Sequence, residues 1–93
     1  MKIEHLNENK GGYFKAVNEG KIAAMMNYAW AGPVKIVIEH TEVKPDYSGQ
    51  GLGKALVLAA VDYAREQKVK ILPLCPFAKS IFNKDDRLND VLF

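Results

Sequence analysis

The feature that most constrains the fold of this chain is a glycine-rich segment, Ser48-Gly49-Gln50-Gly51-Leu52-Gly53, followed by a long run without Gly or Pro. Apolar residues of that run recur at three- and four-residue spacing, as Leu52, Leu56 and Tyr63 do, which is typical of a helix buried along one side. We therefore expect a helix over residues 51–68. The apolar side of this helix must pack on the structure that the first half of the chain forms.

The first half of the chain is divided by turn signals at residues 9–12, 18–20 and 31–33. Between them lie four runs rich in β-branched residues, aromatic residues or Met, and tight turns make neighbouring strands antiparallel. The expected strands cover residues 2–6, 13–17, 21–30 and 34–43. In the fourth, the two-residue side-chain period places His40 on the face of Ile36 and Ile38, so His40 is expected to extend an apolar row.

The segment after the helix predicts one more strand and one more helix. Residues 69–74 are expected to form a fifth strand, and Pro76 suits the first position of a second helix over residues 76–83. A strand–helix–strand connection makes the fifth strand parallel to the fourth, with a right-handed crossover. The expected fold class is α/β (α+β): a four-stranded antiparallel meander, then a helix, a parallel strand and a short helix.

Length and composition exclude several classes of protein. The 93 residues predict a single domain over residues 1–93, and a net charge of +2 gives no argument for nucleic acid. Cys75 has no second cysteine to pair with, and no apolar signal or membrane segment is evident, so we expect a cytoplasmic protein without a membrane interaction. Cys75, His40 and His5 lack metal-ligand spacing, so no metal is expected. The oligomeric state stays open.

The glycine segment is expected to bind an anion. Glycines allow the backbone to approach a ligand closely, and the first turn of a helix offers unpaired N–H groups and the positive end of its dipole. A P-loop is excluded because Ser48 stands where its first glycine belongs and Ala55 where its hydroxyl belongs. A dinucleotide motif is excluded because Lys54 follows where its last glycine is required.

The segment resembles the coenzyme A loop of GNAT acetyltransferases, R/Q-x-x-G-x-G/A at a strand-to-helix junction. Gly51 and Gly53 match that motif, whereas Ser48 stands in place of Arg or Gln. The likeness extends through His40-Thr41-Glu42-Val43, Pro45, the helix and Leu74-Cys75-Pro76-Phe77, about half of the chain. It is similar to a subfamily of short GNAT proteins with a single cysteine, and it implies a GNAT-like fold.

The resemblance implies that acetyl-CoA or coenzyme A is the cofactor. Backbone at Glu42, Val43 and Lys44 would line the pantetheine arm, and N–H groups of residues 49–54 would hold the pyrophosphate. Lys79 and Asn83 of the second helix would flank the outer part of the coenzyme. The full set of expected coenzyme-binding residues is Glu42, Val43, Lys44, Ser48, Gly49, Gln50, Gly51, Leu52, Gly53, Lys54, Lys79 and Asn83. Lys44, Lys54, Lys79 and Lys84 also cluster in the segments that would surround a polyanion.

Cys75 and His40 are the candidate catalytic residues. Cys75 precedes Pro76 at the start of a helix, a position that favours a thiolate. In one route Cys75 takes the acetyl group as a thioester, with His40 as its base. In the other, the acceptor amine attacks directly, His40, Glu42 or a water takes the proton, and Cys75 is a wall of the site or a proton donor.

The acceptor side of the site is expected to be open. Full-size GNAT domains carry helices between their first two strands, whereas this chain has only residues 7–12 there, too few for a helix pair. The sequence therefore predicts an N-acetyltransferase that acts on an amine, with a protein or peptide favoured as its carrier. The alternative is a non-catalytic coenzyme A-binding module or protein-interaction domain, which the unusual Ser48 favours.

Overall fold

Five strands lie side by side in the order of the sequence. The computed structural model describes residues 1–93, and the strands are β1 (Lys2–Asn7), β2 (Gly11–Asn18), β3 (Lys21–Trp30), β4 (Lys35–Val43) and β5 (Lys70–Pro73). β1 to β4 are antiparallel neighbours, and β5 is parallel to β4. The expected meander and the parallel fifth strand are both confirmed, with limits that differ by a few residues.

Two α-helices connect and follow β5. α1 (Leu52–Gln67) has Gly51, with a φ of 75°, as its N-cap and Lys68 as its C-cap, and the N–H of Lys68 donates to Ala64 O. α2 (Pro76–Lys84) begins with the expected proline. Neither helix combines the length and apolar character needed to cross a membrane.

Two 3-10 helices, Pro45–Tyr47 and Asp86–Val91, complete the secondary structure. The second was not predicted from the sequence. It is held against α1 by a bidentate ion pair in which Arg65 donates from Nε and from a terminal nitrogen to Asp90 at 2.8 and 2.9 Å. That contact joins residues far apart in the sequence, and local patterns do not reveal it.

Both helices pack on one face of the sheet. Buried side chains of the strands, such as Phe14, Met26 and Ile38, form one core with Leu56 and Ala60 of α1. The alternate side chains of the same strands point away from this core and carry no helix. We call this second surface the open face; it is lined by Leu6, Tyr13, Lys15, Met25, Asn27, Val37 and Leu72, which are partly or fully exposed.

A β-bulge in β4 corrects the expected position of His40. Tyr28 lies opposite Ile38 and Asn27 opposite His40, so Glu39 is an extra residue in β4. Beyond the bulge the alternation is reversed: Thr41 lies opposite buried Met26, whereas His40 is exposed. The expectation that His40 extends the apolar row of Ile36 and Ile38 was wrong, because one inserted residue moves later side chains to the other face.

β4 and β5 separate after a short paired stretch. Residues 35–38 pair with residues 70–73, and then Leu74 and Cys75 both donate their N–H groups to Ile38 O, at 3.0 and 3.1 Å. The chain turns into α2 at this point. Residues 39–43 of β4 therefore have no strand on that side, and we call the opening beside them the gap.

The outer edge of β5 is partly closed by the end of the chain. The N–H groups of Lys70 and Leu74 point to β4, so strand alternation turns Ile71 and Pro73 outwards. Ile71 O accepts a hydrogen bond from Phe93 N at 2.8 Å. Pro73 has no N–H, so the remaining outer edge offers an incoming strand no donor there.

Candidate functional site

The glycine segment forms an unpartnered set of backbone donors. Gly49 and Gly51 adopt φ values of 78° and 75°, a left-handed conformation that glycine adopts readily. The first hydrogen bond of the helix runs from Ala55 N to Gly51 O, at 3.0 Å. None of the six N–H groups of residues 49–54 donates a hydrogen bond within the protein. Since unpaired donors at a helix N-terminus favour anions, this loop fits a phosphate group.

Gly53 has a packing role that the sequence did not reveal. A Cβ at this position would lie 2.6 Å from Cζ of Phe77, closer than real atoms approach. The glycine therefore allows α1 to lie against the first turn of α2. This contact brings the anion-binding loop and Cys75 to the same end of the molecule.

The gap beside β4 offers further main-chain groups. Lys44 N–H donates to Ala23 O of β3 at 2.9 Å, so alternation turns the main-chain groups of Val43 and Thr41 towards the gap. The backbone of Glu42, Val43 and Lys44 was expected to line a ligand. Of these three residues, Val43 is the one whose N–H and C=O groups are turned towards the gap. Glu42 and Lys44 pair instead through their side chains, with Lys44 Nζ 3.4 Å from Glu42 Oε1.

Cys75 lies at the inner end of the gap. It is the N-cap of α2, its side chain is buried, and its Sγ lies 3.5 Å from Thr41 Oγ1. Burial on its own raises the pKa of the Cys75 thiol. Hydrogen bonds from the backbone of Ala78, the Thr41 hydroxyl and the backbone of Phe77 and Thr41 outweigh that effect, so the net pKa is lowered. The arrangement stabilises a thiolate, as the sequence predicted from the helix N-terminus.

Thr41 is the side chain of the candidate site that sequence reasoning missed. The simple alternation of β4 puts Thr41 on the face opposite Ile38, and only the bulge brings it to Cys75. No local signal marks Glu39 as an inserted residue. His40, the expected partner of the thiol, lies on the open face, where its side chain is exposed.

The predicted residues of α2 face away from the glycine loop. Lys79 and Asn83 line a small cleft with Leu74 and Phe93, beside the outer edge of β5. At 100° per residue, the side of α2 that carries Phe77 also carries Ile81 and Lys84. Lys84 is therefore the lysine of this helix that is turned towards α1. Its helical spacing from Phe77 is the sequence signal that could have identified it.

No metal centre accompanies these groups. No cluster of three or more His, Cys, Asp or Glu side chains is placed to hold a metal ion. His5 belongs to the aromatic side of the core instead. Its ring stacks on Phe14 with centroids 3.9 Å apart, its Nε2 lies 2.7 Å from Tyr28 Oη, and burial lowers its pKa.

Known proteins share this fold. Residues 12–91 match the model of the GCN5-related N-acetyl-transferase family. The solution structure of a GCN5-like protein from Staphylococcus aureus superimposes with a TM-score of 0.76 and 35% identity, covering 99% of this chain and 87% of that one. The Escherichia coli ribosomal-protein-S18-alanine N-acetyltransferase shares the fold, with a TM-score of 0.70 and 22% identity over 84% of this chain and 53% of its own.

Curated relatives are more distant. The protein NATD1 of mouse is 28% identical over 75 residues, which are 81% of this chain and 67% of NATD1. Human NATD1 is equally similar over 66% of its length. The chain thus spans about two thirds of the length of these relatives.

Proposed function

Because the chain belongs to the GCN5-related N-acetyltransferase family, we propose that it transfers an acetyl group from acetyl-CoA to an amine presented by a protein or peptide. The observation that carries this proposal is the meeting of two features at one end of the sheet: six unpartnered N–H groups and a thiol with a lowered pKa. The family uses acetyl-CoA, which supplies acetyl activated as a thioester.

The residues present fit this donor. N–H groups of residues 49–54 would hold the pyrophosphate, with Ser48 contributing a hydroxyl in place of the usual Arg or Gln. Main-chain groups of Thr41 and Val43 would bind the pantetheine arm along the gap. Lys54 and Lys84 add positive charge on the helices beside the loop. We keep Lys79 and Asn83 as candidates for the outermost part of the coenzyme.

We propose Cys75 as the acetyl carrier. Its thiolate would attack the carbonyl carbon of acetyl-CoA and take the acetyl group as a thioester, while the bond from that carbon to the sulfur of coenzyme A breaks and coenzyme A leaves as a thiolate that takes a proton from water. The acceptor amine would then take the acetyl group, Cys75 would return to the thiolate, and His40 would accept the amine proton on the open face. The hydrogen bonds from Thr41 and the first turn of α2 support this route, because they stabilise the thiolate without help from His40.

Intact-mass measurement tests this route directly. Wild-type protein mixed with acetyl-CoA should gain the mass of one acetyl group, and hydroxylamine should remove it. Cys75→Ala should bind coenzyme A normally but neither gain this mass nor acetylate a lysine peptide. His40→Gln should still acetylate Cys75 while transfer to the peptide slows. If Cys75→Ala retains full turnover, the covalent route is wrong and the amine attacks directly.

The same experiment separates the second candidate function, a coenzyme A-binding module. The absence of a long polar side chain at position 48 favours it. In that case coenzyme A binds to the loop, yet acetyl-CoA modifies neither Cys75 nor any amine under any condition.

A further inference from the structure

We propose that the open face of the sheet is the docking surface for the acceptor, an extended peptide segment with basic residues beside the acetylated lysine. The inference rests on the proposed acetyltransferase function and specifies its acceptor. It starts from the sheet register, which the bulge at Glu39 changes.

Two cross-strand rows lead over the open face to the gap. In the first, Leu6 lies opposite Tyr13, Tyr13 opposite Asn27 and Asn27 opposite His40. In the second, Glu4 lies opposite Lys15, Lys15 opposite Met25 and Met25 opposite Glu42. Side chains directly opposite each other are in contact range, so each row is continuous from the edge strand to β4.

These rows are accessible because nothing in the fold covers them. Both helices pack on the other face, and the connection from β1 to β2 consists of residues 8–10 alone. Tyr13 and Met25 offer partly exposed apolar surface, whereas Asn27 and His40 are exposed polar groups without a hydrogen bond inside the protein. An extended segment laid along a row would reach the gap without a conformational change of the sheet.

The charges near the gap indicate which kind of peptide would bind there. Glu39 and His40 are consecutive and both exposed, and Glu39 forms no ion pair. The other charges of the rows are compensated: Glu42 pairs with Lys44, and Lys15 Nζ lies 3.7 Å from Glu4 Oε1. An uncompensated carboxylate beside the proposed base favours cationic residues next to the acceptor lysine.

A charge reversal at Glu39 tests the preference. The probes are short peptides with blocked ends and one lysine, flanked by arginine, serine or aspartate. Wild type should acetylate the arginine-flanked peptide fastest. Glu39→Lys should lower the arginine-to-aspartate ratio of kcat/KM by roughly two- to fivefold, the upper part of the range expected for exposed charge pairs. The matched control is Glu66→Lys, the same charge reversal at an exposed position of α1, and it should leave the ratio unchanged. An unchanged ratio in Glu39→Lys would overturn the proposal.

Amide NMR separates this proposal from the transferase function itself. The arginine-flanked peptide, added with coenzyme A, should shift Tyr13, Met25 and Asn27 whether or not turnover occurs. Turnover with shifts confined to the helix face would overturn the docking surface and leave the transferase function intact. Shifts of the open face that grow with protein concentration alone would overturn it in favour of a second copy as the occupant.

Discussion

At the scale of single residues, Gly53 determines how closely the loop and α2 approach each other. Gly53→Ala adds a Cβ 2.6 Å from Phe77 Cζ. Overpacking costs about 1–3 kcal/mol, while alanine gains up to about 1 kcal/mol of helix propensity over glycine. Because the Phe77 ring is exposed and only its far edge is in the way, the ring can turn aside, and we expect the two effects on the free energy of unfolding in urea nearly to cancel. In a Phe77→Ala background the same change should stabilise the protein. Equal effects in both backgrounds would mean that Phe77 is not the obstacle.

Thr41 is expected to set the pKa of Cys75. Burial raises that pKa, but hydrogen bonds from the Ala78 backbone, the Thr41 hydroxyl and the backbone of Phe77 and Thr41 together lower it further than burial raises it. Thr41→Val removes the hydroxyl and keeps the shape, so the pKa should rise; the Cβ carbon shift of Cys75 against pH measures it. Leu58→Val, an exposed position on α1, is the control.

The same pKa predicts a pH dependence of stability. A thiol whose folded pKa is lowered contributes stability that is present above its unfolded pKa, about 8.5, and is lost as pH falls through the folded pKa. Thr41→Val should therefore lose more unfolding free energy at about pH 9 than at about pH 5. Equal losses at both pH values would contradict the assignment.

At the scale of elements, we expect the bulge in β4 to help hold the gap open, because it lies where β4 and β5 separate and a bulge bends its strand. Deleting Glu39 would make His40 follow Ile38 directly, and regular strand alternation would then place the two side chains on opposite faces. Ile38 and Thr41 would therefore stay on the core face and His40 on the open face, where they already lie. The deletion variant should therefore fold, yet β4 would run straight and the gap would close. We expect coenzyme A affinity to fall at least about tenfold, since in the proposed site the loop and the gap bind the ligand together.

The control for this deletion is Glu39→Gln, which retains the extra residue and should bind coenzyme A as wild type does. A deletion variant that folds and binds coenzyme A normally would show that the gap does not depend on the bulge. Isothermal titration of each variant provides the comparison.

The elements themselves were predictable because their signals are local. Turn residues and side-chain periodicity predicted five strands and two helices, and Pro76 predicted the start of α2 with Cys75 before it. The position of His40 was not predictable, since the extra residue at Glu39 is defined only by pairing with β3. The contact of Gly53 with Phe77 and the approach of Thr41 to Cys75 likewise depend on how distant segments pack.

At the scale of the whole molecule, a small domain should respond strongly to its ligand. Coenzyme A at a hundred times its dissociation constant adds about 2.7 kcal/mol, which raises the melting temperature of a domain of this size by around 10 °C. Pantetheine, which lacks the pyrophosphate, is the control and should stabilise much less. Amide shifts should concentrate at Val43, residues 49–54 and Cys75; their absence, with no change in melting, would contradict the coenzyme site.

Pro73, on the outer edge of β5, affects how the protein behaves at high concentration. Sheets with bare edges are prone to join edge to edge into linear polymers; Pro73 is itself buried in the cleft beside this edge, and it withholds the donor that a further strand entering the cleft would need. Pro73→Val restores this N–H and should produce concentration-dependent light scattering, while Leu72→Val beside it should not. Scattering that is the same in both variants would contradict this role. A ring two residues before the proposed acetyl carrier would thus govern solubility without taking any part in the chemistry.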